Sequence, residues 1–556
     1  MFPPLSSTKN LHRLSKHCAS LSHLNQILTQ LLIHPQPSPF SFNSLIQSYT
    51  NSNLPHHSLL LFLHMTRSVS SQPDNLTYSF ALKACALLRA VAPGISIHCR
   101  ILCLGFRPDA FIRCGLIRMY FDFEEIGSAY KVFDEMIDRD VVIWNSMIGG
   151  CVKCGRVQEA RELFEMMNVS KNVGSYNAML GGYVRVGCIE RARELFDEMP
   201  ERDVVSWNIM IGAQARLGTV EIACELFDYA PKKNVTTWST IISGFCHSGC
   251  YNDALDKFKK MLVDGPRPNQ AVLVCALSSC AHLGALELGV WVHGYIVQSG
   301  FKVDDWLGSS LIDMYAKCGV LQAAISLFHR LKRREACAWT SMIHGYAIHG
   351  QCQQALDTFN KMEELRIKPN DVTFVAILSA CSHAGLVDKG REIFKRMKQV
   401  CNMSPKIEHY TCMIDLFCRS NLLDEAQELV KSMPMKPDIY VWGALISGLR
   451  IHQPNSLKLD NGLRGEIERL RPTDSGLYVL LSNIYAGFDQ WGEVEIMRGM
   501  MKDFGVKKSR GWSSIEVEGV VHVFLAGQRE GNYYKLDQAY EMLDCVYKGT
   551  CISYFA

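Results

Sequence analysis

The stretch from Val204 to Asn234 reads VVSWNIMIGAQARLGTVEIACELFDYAPKKN, and its pattern decides the fold. Trp207, Met210 and Ile211 are spaced by three and four residues, which predicts a helix with one apolar face. Gly218 stands where that helix must end, because glycine adopts the left-handed backbone conformation without steric cost. The apolar residues that follow predict a second helix. The stretch therefore predicts a helical hairpin.

The same pattern returns along most of the chain. A glycine ends the predicted first helix, an alanine follows five residues later, and a phenylalanine follows nine residues later. The glycines are Gly155, Gly187, Gly218, Gly249, Gly319 and Gly350, the alanines are Ala160, Ala192, Ala223, Ala254, Ala324 and Ala355, and the phenylalanines are Phe164, Phe196, Phe227, Phe258, Phe328 and Phe359. One hairpin cannot bury both of its faces, so we expect the hairpins to stack into an all-α solenoid with a concave groove.

The unit lengths vary in an ordered way. The repeating pattern predicts twelve units, of which the longer ones end in Pro followed by Asp or Asn. The predicted units are 39–74, 75–109, 110–140, 141–172, 173–203, 204–234, 235–269, 270–304, 305–335, 336–370, 371–406 and 407–438. We expect the short units to lose residues from the second helix and the loop that follows it.

Two stretches carry a resemblance to a known family. Val204-Val205-Ser206-Trp207-Asn208 and Leu311-Ile312-Asp313-Met314-Tyr315-Ala316-Lys317-Cys318-Gly319 resemble the pentatricopeptide repeats of the plant PLS class, in which units of different lengths alternate. The resemblance covers roughly 39–525. It implies a right-handed superhelical solenoid that binds single-stranded RNA in a plant organelle, about one base per repeat.

The composition of the chain is typical of a folded protein and does not by itself identify a binding partner. Hydrophobic residues make up 48% of the sequence and charged residues 20%, and no apolar run is long enough to span a membrane, so we expect no membrane partner. The net charge is only +3, so local contacts rather than bulk charge must select any RNA, and no DNA partner is expected. The 22 cysteines are scattered, which favours reduced, buried thiols.

The N-terminal segment has the composition of an organelle transit peptide. The first acidic residue is Asp74, and the preceding segment is rich in Ser and Leu with a few basic residues. We expect 1–38 to hold a transit peptide that runs into a degenerate first repeat. The expected localisation is the mitochondrion, with the chloroplast as the alternative.

The resemblance also implies which side chains read RNA bases. In the family, the readers are the residue after the first-helix aromatic position and the last residue of each unit. Carried over, the pairs are Asn43 with Asp74 for U, Asn145 with Asn172 for C, Asn177 with Asp203 for U, Asn208 with Asn234 for C, Ser239 with Asn269 for A, Thr340 with Asn370 for A, and Thr411 with Asp438 for G. The structural alternative for any single pair is a helix cap, since Asn, Ser and Asp are common there.

Five units do not follow the family's pairing rules clearly. Three have no match, and two give at best a weak purine preference. The unmatched pairs are Cys114 with Asp140, Val274 with Asp304 and Val375 with Lys406, and the weak ones are Ser79 with Asp109 and Ser309 with Glu335. The implied target is U-N-N-C-U-C-A-N-N-A-N-G, followed by three nucleotides and then an edited C.

The repeating pattern ends at Asp438. Residues 439–446, 476–486 and 507–512 resemble the E-type extension motifs of RNA editing factors, and we assign 439–525 to this extension. Alternation around Val521 and Val523 predicts a short strand. The tail 526–556 matches the family's further extension only in part.

No enzyme is expected from these residues. Editing deaminases need a His-x-Glu element and a Cys-x-x-Cys pair to hold zinc, and the sequence has no His-x-Glu. The pair Cys151 and Cys154 falls at the end of a predicted first helix, where it is better explained as part of the repeat. We therefore expect no cofactor, and we expect a DYW-type deaminase and other editing factors to be recruited in trans through the extension, for C-to-U editing.

Three other functions stay open at this point. The chain could stabilise or splice an organelle transcript, although the extension argues against this. It could be a protein-binding helical scaffold, which would predict no pattern at the paired positions. It could also be a degraded family member without function.

Overall fold

The structure is a computed structural model that describes residues 24–29, 39–52, 54–67, 72–105, 109–452, 475–487, 489–506, 512–517 and 520–525. Over these residues the chain is almost entirely helical. The predicted transit peptide lies outside the described residues, apart from a short helical stretch at 24–29, and the predicted tail 526–556 lies outside them entirely.

Twelve helical hairpins follow one another between residues 39 and 438 of the described chain, and we number them 1 to 12. Each has a first and a second helix. In order, they are α1 (Pro39–Asn51) and α2 (Pro55–Arg67), α3 (Asn75–Leu88) and α4 (Val91–Cys103), α5 (Ala110–Asp122) and α6 (Ile126–Asp134), α7 (Val141–Lys153) and α8 (Val157–Met166), α9 (Val173–Arg185) and α10 (Ile189–Glu198), α11 (Val204–Arg216) and α12 (Val220–Tyr229), α13 (Val235–His247) and α14 (Tyr251–Asp264), α15 (Gln270–Leu283) and α16 (Leu286–Gln298), α17 (Asp305–Lys317) and α18 (Leu321–Arg330), α19 (Ala336–Ile348) and α20 (Cys352–Glu364), α21 (Asp371–Ala384) and α22 (Val387–Gln399), and α23 (Ile407–Arg419) and α24 (Leu423–Ser432).

The part of the chain after residue 438 continues with helices and ends in two strands. The helices are α25 (Ile439–His452), α26 (Gly476–Gly487) and α27 (Trp491–Asp503), and Tyr478, Leu481 and Met497 are buried together in their core. The strands β1 (Trp512–Val517) and β2 (Val520–Leu525) pair antiparallel, with Trp512 opposite Leu525 and Val517 opposite Val520.

The chain forms two compact units, residues 1–244 and residues 245–556. Apart from α13, in which the boundary between the units falls, consecutive first helices contact one another within each unit and each first helix contacts its own second helix, as in α5 with α7 and α19 with α20. The predicted all-α stack of hairpins is confirmed. Among the described residues, no helix has the length and apolar character needed to cross a membrane.

Hairpin 6 shows why the first helices begin and end where they do. Asp203 precedes α11, and its carboxylate accepts the backbone N–H of Ser206 at 2.9 Å, which satisfies one of the unpaired donors at the helix start. At the other end, Gly218 has a φ of +76°, and the N–H groups of Gly218 and Thr219 donate to the carbonyls of Ala215 and Gln214. This pairing is the Schellman motif, so the predicted role of the glycine is confirmed.

The second helices come in two lengths. Those of the short hairpins have 9 or 10 residues, as in α6 and α12, and those of the long hairpins have 13 or 14, as in α14 and α20. The difference in hairpin length therefore lies mainly in the second helix, as the sequence predicted.

The alanine and phenylalanine of each second helix form the core between hairpins. Ala223 is fully buried and Phe227 is 1% exposed, and the equivalent residues of the other repeats are buried as well. The Phe227 ring also reaches the next hairpin and packs edge-on against Trp238, with 4.7 Å between ring centroids. The aromatic residue of each first helix is thus held by the preceding second helix.

A basic residue six positions after the phenylalanine of these edge-on pairs covers the contact between hairpins. Arg202 lies over the Phe196 ring, 4.8 Å from its centroid. The same guanidinium donates to the carbonyls of Phe196 at 2.8 Å and of Asp197 at 2.9 Å, which are exposed at the end of α10. The side chain therefore caps the second helix and covers the aromatic core at once.

Small residues allow neighbouring first helices to approach closely. A Cβ placed on Gly150 would overlap the ring of Phe121, and one on Gly448 would overlap Cys418 of the preceding first helix. Side chains at these positions would therefore push adjacent hairpins apart.

Candidate functional site

Polar pairs at the junctions of consecutive first helices form the candidate site. In hairpin 5, Asn177 is the fifth residue of α9, and Asp203 is the last residue before α11. The Asn177 amide Nδ2 donates to Oδ1 of Asp203 at 3.0 Å, and its Oδ1 accepts the Ser206 hydroxyl at 2.7 Å. These contacts fix which end of the Asn177 amide faces the carboxylate.

Hairpins 1 and 4 bring the same positions together. Nδ2 of Asn43 lies 2.8 Å and 3.0 Å from the two carboxylate oxygens of Asp74, and its Oδ1 accepts the Thr77 hydroxyl at 2.6 Å. In hairpin 4, Nδ2 of Asn145 donates to Oδ1 of Asn172 at 3.2 Å. The structure therefore joins the sequence-predicted pairs of hairpins 1, 4 and 5 by a direct hydrogen bond.

The other predicted residues lie at the equivalent positions of their hairpins. The Thr340 hydroxyl contacts the Thr373 hydroxyl at 2.7 Å, which in turn donates to Oδ1 of Asn370 at 2.9 Å. The Thr411 hydroxyl donates to the carbonyl of Ile407 at 2.9 Å. Asn208 and Asn234, and Thr411 and Asp438, stand at the fifth and last positions of hairpins 6 and 12, and Ser239 and Asn269 stand at those of hairpin 7.

Two fifth-position amides have an unpaired oxygen. Oδ1 of Asn145 and Oδ1 of Asn208 are buried and have no hydrogen-bond partner among the described residues. Both belong to hairpins that end in Asn, whereas the equivalent oxygen accepts a hydroxyl where the hairpin ends in Asp. The amide is therefore held by two contacts in the Asn–Asp pairs and by fewer in the Asn–Asn pairs.

The last residue of each hairpin has a structural role besides its position in the site. Asp74, Asp203, Asn234, Asn269 and Asn370 each accept a backbone N–H of the following first helix at 2.9–3.0 Å. The helix-cap explanation is thus true for these residues. It does not account for the fifth residues, which lie inside the helix.

The carboxylates of the pairs are held in the charged form. Burial raises the pKa of Asp203, but hydrogen bonds from Ser206 and Asn177 outweigh it and keep the pKa below its ordinary value. Asp74 is affected in the same way by burial and by bonds from Thr77 and Asn43. At neutral pH both side chains therefore act only as hydrogen-bond acceptors.

A row of exposed apolar side chains lies near the pairs in sequence, at the second position of the first helices, and was not predicted from the sequence. The second residue of the first helix is large, apolar and between 46% and 71% exposed in many hairpins, where water would disfavour it. In residues 1–244 these are Phe40, Leu76, Phe111, Val142 and Val205, and in residues 245–556 they are Trp306, Val372 and Tyr440. The signal in the sequence was a large apolar residue at the second position of the unit, repeated from unit to unit.

Basic residues recur at the thirteenth position of the first helices and were also missed. They are Lys153, Arg185 and Arg216 in the first compact unit and His247, His282, Lys317, His383 and Arg419 in the second. Burial lowers the pKa of His282, so this histidine is neutral at pH 7 and the Lys and Arg residues carry the local charge. Arg185 also donates to the carbonyls of Val152 and Lys153, which positions it across the junction.

The cysteine pair does not form a metal site. Cys151 is buried in the core, and Sγ of Cys154 lies 3.8 Å from the carbonyl of Phe121 in the preceding hairpin. No group of three His, Cys, Asp or Glu side chains among the described residues could hold a metal ion. The two cysteines thus serve the packing of the repeat.

The fold and the site define a helical-hairpin repeat protein that presents two ordered side chains per repeat. Family models described as PPR repeat match residues 40–68, 142–171, 174–204, 205–235, 236–266, 309–335 and 372–400, and further repeat models match 334–383 and 402–434. A model described as E motif matches 465–516. The chain belongs to the pentatricopeptide repeat family, with an E-type extension, so the predicted membership is confirmed. The family places it among repeat scaffolds and not among enzymes.

Relatives from Arabidopsis thaliana match nearly the whole chain. One pentatricopeptide repeat-containing protein is 34% identical over 520 residues, covering 93% of this chain and 86% of its own. Another, named as mitochondrial, is 36% identical and covers 92% of this chain and 80% of its own. A third, named as chloroplastic, is 36% identical and covers 89% and 72%. The crystal structure of the maize pentatricopeptide repeat protein PPR10 matches with a TM-score of 0.44 and 18% identity, over 90% of this chain and 84% of that one.

Proposed function

We propose that the protein binds single-stranded RNA sequence-specifically in a plant organelle, selects a cytidine for C-to-U editing, and recruits the deaminase in trans. The observation that carries this proposal is the recurrence of polar pairs at the fifth and last positions of successive hairpins. In hairpins 1, 4 and 5 these pairs are joined by hydrogen bonds of 2.8–3.2 Å. A regular row of side chains with defined donors and acceptors suits the reading of consecutive bases.

The last residue of a hairpin would distinguish bases by donor and acceptor. A charged Asp accepts hydrogen bonds only, so it favours a base with a ring N–H, which is uracil or guanine. An Asn can donate its amide N–H, so it favours a base with an unprotonated ring nitrogen, which is cytosine or adenine. In hairpin 5, the hydrogen bonds from Asn177 and Ser206 fall on Oδ1 of Asp203 and leave Oδ2 to accept a further bond. This oxygen is the proposed acceptor for uracil.

The fifth residue would distinguish bases by size. Asn extends further from the helix than Thr or Ser and fits the smaller pyrimidine ring. The Thr340 and Thr411 hydroxyls are short and are turned back onto the carbonyls of Ala336 and Ile407, which leaves more room for a purine. The two positions together therefore support the assigned order U-N-N-C-U-C-A-N-N-A-N-G.

Two further rows would supply affinity that does not depend on sequence. Exposed apolar side chains such as Phe111 and Trp306 offer surfaces on which bases can stack. Cations such as Arg185 and Arg216 at the ends of the first helices can contact phosphates. A net charge of only +3 is compatible with RNA binding if these cations lie along the RNA.

The extension supports editing as the outcome of binding. The E motif covers 465–516, and no deaminase signature occurs in the sequence, so the catalytic domain would come from a DYW-type partner that docks on the extension. Relatives are named for both organelles, and we propose the mitochondrion with the chloroplast as the alternative.

Deleting 439–556 should leave RNA binding nearly unchanged and abolish editing, because the twelve hairpins would read the RNA and the extension would recruit the deaminase. Binding is measured by titration with the assigned RNA and with a scrambled RNA of equal composition, and editing by sequencing organelle RNA from a complemented plant. A deletion of 526–556 is the matched control and should retain editing. Editing by the 439–556 deletion would refute recruitment by the extension, and equal affinity for both RNAs would refute the base assignment.

A further inference from the structure

The first residue of the first helix divides the hairpins into two groups. It is polar in hairpins 2, 8, 9 and 11 and apolar in the other eight described hairpins. The polar residues are Asn75, Gln270, Asp305 and Asp371, and the apolar ones are Pro39, Ala110, Val141, Val173, Val204, Val235, Ala336 and Ile407. Each of the four hairpins with a polar first residue has Ser or Val at its fifth position, and none of them follows the family's pairing rules clearly.

In hairpins 2 and 8 the polar first residue contacts the last residue of the same hairpin. Nδ2 of Asn75 donates to Oδ2 of Asp109 at 2.6 Å. Nε2 of Gln270 donates to Oδ2 of Asp304 at 2.8 Å. We call this contact between first and last residue the bridge. It starts one helical turn before the fifth position, so it approaches the carboxylate from a different direction than a fifth-position amide does.

The bridge takes up an oxygen that Asn177 and Ser206 do not use in hairpin 5. Oδ1 of Asp304 accepts the backbone N–H of Leu307 at 3.0 Å, and the bridge occupies Oδ2. In hairpin 5, the hydrogen bonds from Asn177 and Ser206 to Asp203 fall on Oδ1. Hairpin 12 resembles hairpin 5, since the backbone N–H groups of Tyr440 and Val441 both donate to Oδ1 of Asp438. In hairpin 1, where the first residue is Pro39, the fifth-position amide of Asn43 itself contacts both oxygens of Asp74, so an amide at the first position is what sets the bridged hairpins apart.

In hairpins 9 and 11, the first and last residues also contact each other, but through different groups. Oδ1 of Asp305 accepts the backbone N–H of Glu335 at 2.9 Å. The Lys406 ammonium forms an ion pair with the Asp371 carboxylate. In all four hairpins, therefore, the first residue engages the last residue and the fifth residue does not.

We propose that an Asn or Gln as the first residue of the first helix prevents a hairpin from discriminating bases. An amide first residue, as in hairpins 2 and 8, bridges to Oδ2 of the last residue, occupies an oxygen that would accept a base N–H, and makes the hairpin a spacer that accepts any nucleotide. This inference rests on the proposed reading of RNA by the other hairpins. It assigns hairpins 2 and 8 as spacers through Asn75 and Gln270, neither of which belongs to the fifth and last pairs.

The test uses hairpin 8 in the full-length protein, with four RNAs that differ only in the base opposite this hairpin. The wild type and Gln270→Val should bind all four within about twofold of one another, because Val274 offers no hydrogen bond. The double variant Gln270→Val with Val274→Asn rebuilds the Asn–Asp pair and should prefer uracil by about tenfold or more. Val274→Asn alone keeps the bridge and should show a much smaller preference.

The reverse change tests the bridge at a hairpin that already discriminates. Val173→Gln in hairpin 5 leaves Asn177 and Asp203 in place but offers an amide to Oδ2 of Asp203. The uracil preference of hairpin 5 should fall by about tenfold, to near indifference. Val173 is partly exposed at the start of α9, so the variant keeps the core intact and remains informative if a hairpin 8 variant does not fold.

The outcomes separate the inference from the function on which it rests. An equal uracil preference in Val274→Asn and the double variant, or an unchanged preference in Val173→Gln, would overturn the bridge as the determinant. A base preference that Gln270→Val abolishes would show that Gln270 itself reads the base. If wild-type protein does not discriminate the base opposite hairpin 5, the proposed function fails and the inference fails with it.

Discussion

Replacing Asp203 by Asn should change the base preferred by hairpin 5 from uracil to cytosine. The Asp203 carboxylate is ionised and accepts hydrogen bonds only, and Asn177 and Ser206 leave its Oδ2 to accept a further bond, so it favours the ring N–H of uracil. An amide at this position can donate to the ring nitrogen of cytosine. Asn caps a helix about as well as Asp, so α11 should keep its start. The preference should reverse from U to C, and the difference between the two binding free energies should change by about 1–3 kcal/mol.

The measurement is a titration of wild type and variant with two RNAs that differ only in the base opposite hairpin 5. Asp228→Asn is the matched control, because it makes the same change of charge at an exposed residue of α12 away from the pairs. The control should prefer uracil as the wild type does. A variant at Asp203 that loses affinity for both RNAs equally would show that Asp203 serves only as a helix cap.

Replacing Phe227 by Ala should destabilise hairpins 6 and 7 by about 3–5 kcal/mol, the cost of removing a buried aromatic side chain. Phe227 is 1% exposed, its ring packs edge-on against Trp238 at 4.7 Å, and the Lys233 ammonium lies 5.4 Å from the ring centroid. Truncation leaves a cavity at a junction between hairpins, and in a repeat protein each hairpin is stabilised chiefly by its neighbours. We therefore expect the loss to be concentrated near the substituted junction.

Chemical unfolding gives the change in the free energy of unfolding, and amide hydrogen exchange over 204–247 locates it. Tyr229→Ala on the same helix is the control, since Tyr229 is 76% exposed and its removal should change stability by less than about 0.5 kcal/mol. Equal effects of the two substitutions would contradict the packing described for Phe227.

The sequence predicted the parts of the fold that depend on contacts within one hairpin. The spacing of Trp207, Met210 and Ile211 indicates the buried face of α11, and Gly218 has the left-handed conformation that ends it. These features follow from helical periodicity and backbone sterics, which act locally. The family resemblance supplied the positions of the pairs, whose role in reading bases stays a prediction.

Contacts between hairpins could not be predicted in the same way. The bridge from Gln270 to Asp304 joins residues 34 positions apart, and it depends on how α15 and the start of α17 are staggered. Likewise, periodicity showed that Phe227 is buried but not that its ring meets Trp238 of the next hairpin. The exposed apolar row at the second position was visible as a repeat, but only the structure shows that residues such as Phe111 are not covered.

Photo-crosslinking of a single 4-thiouridine at successive positions of the assigned RNA tests the one-base-per-hairpin register most directly. With the label opposite hairpin 5, we expect crosslinks to centre on the peptide that contains Asn177, the fifth residue of the first helix of that hairpin. Moving the label by one nucleotide should move the crosslinked peptide by one hairpin, toward 141–172 in one direction and 204–234 in the other. Crosslinks that stay in place, or that spread over the hairpins without order, would contradict the account.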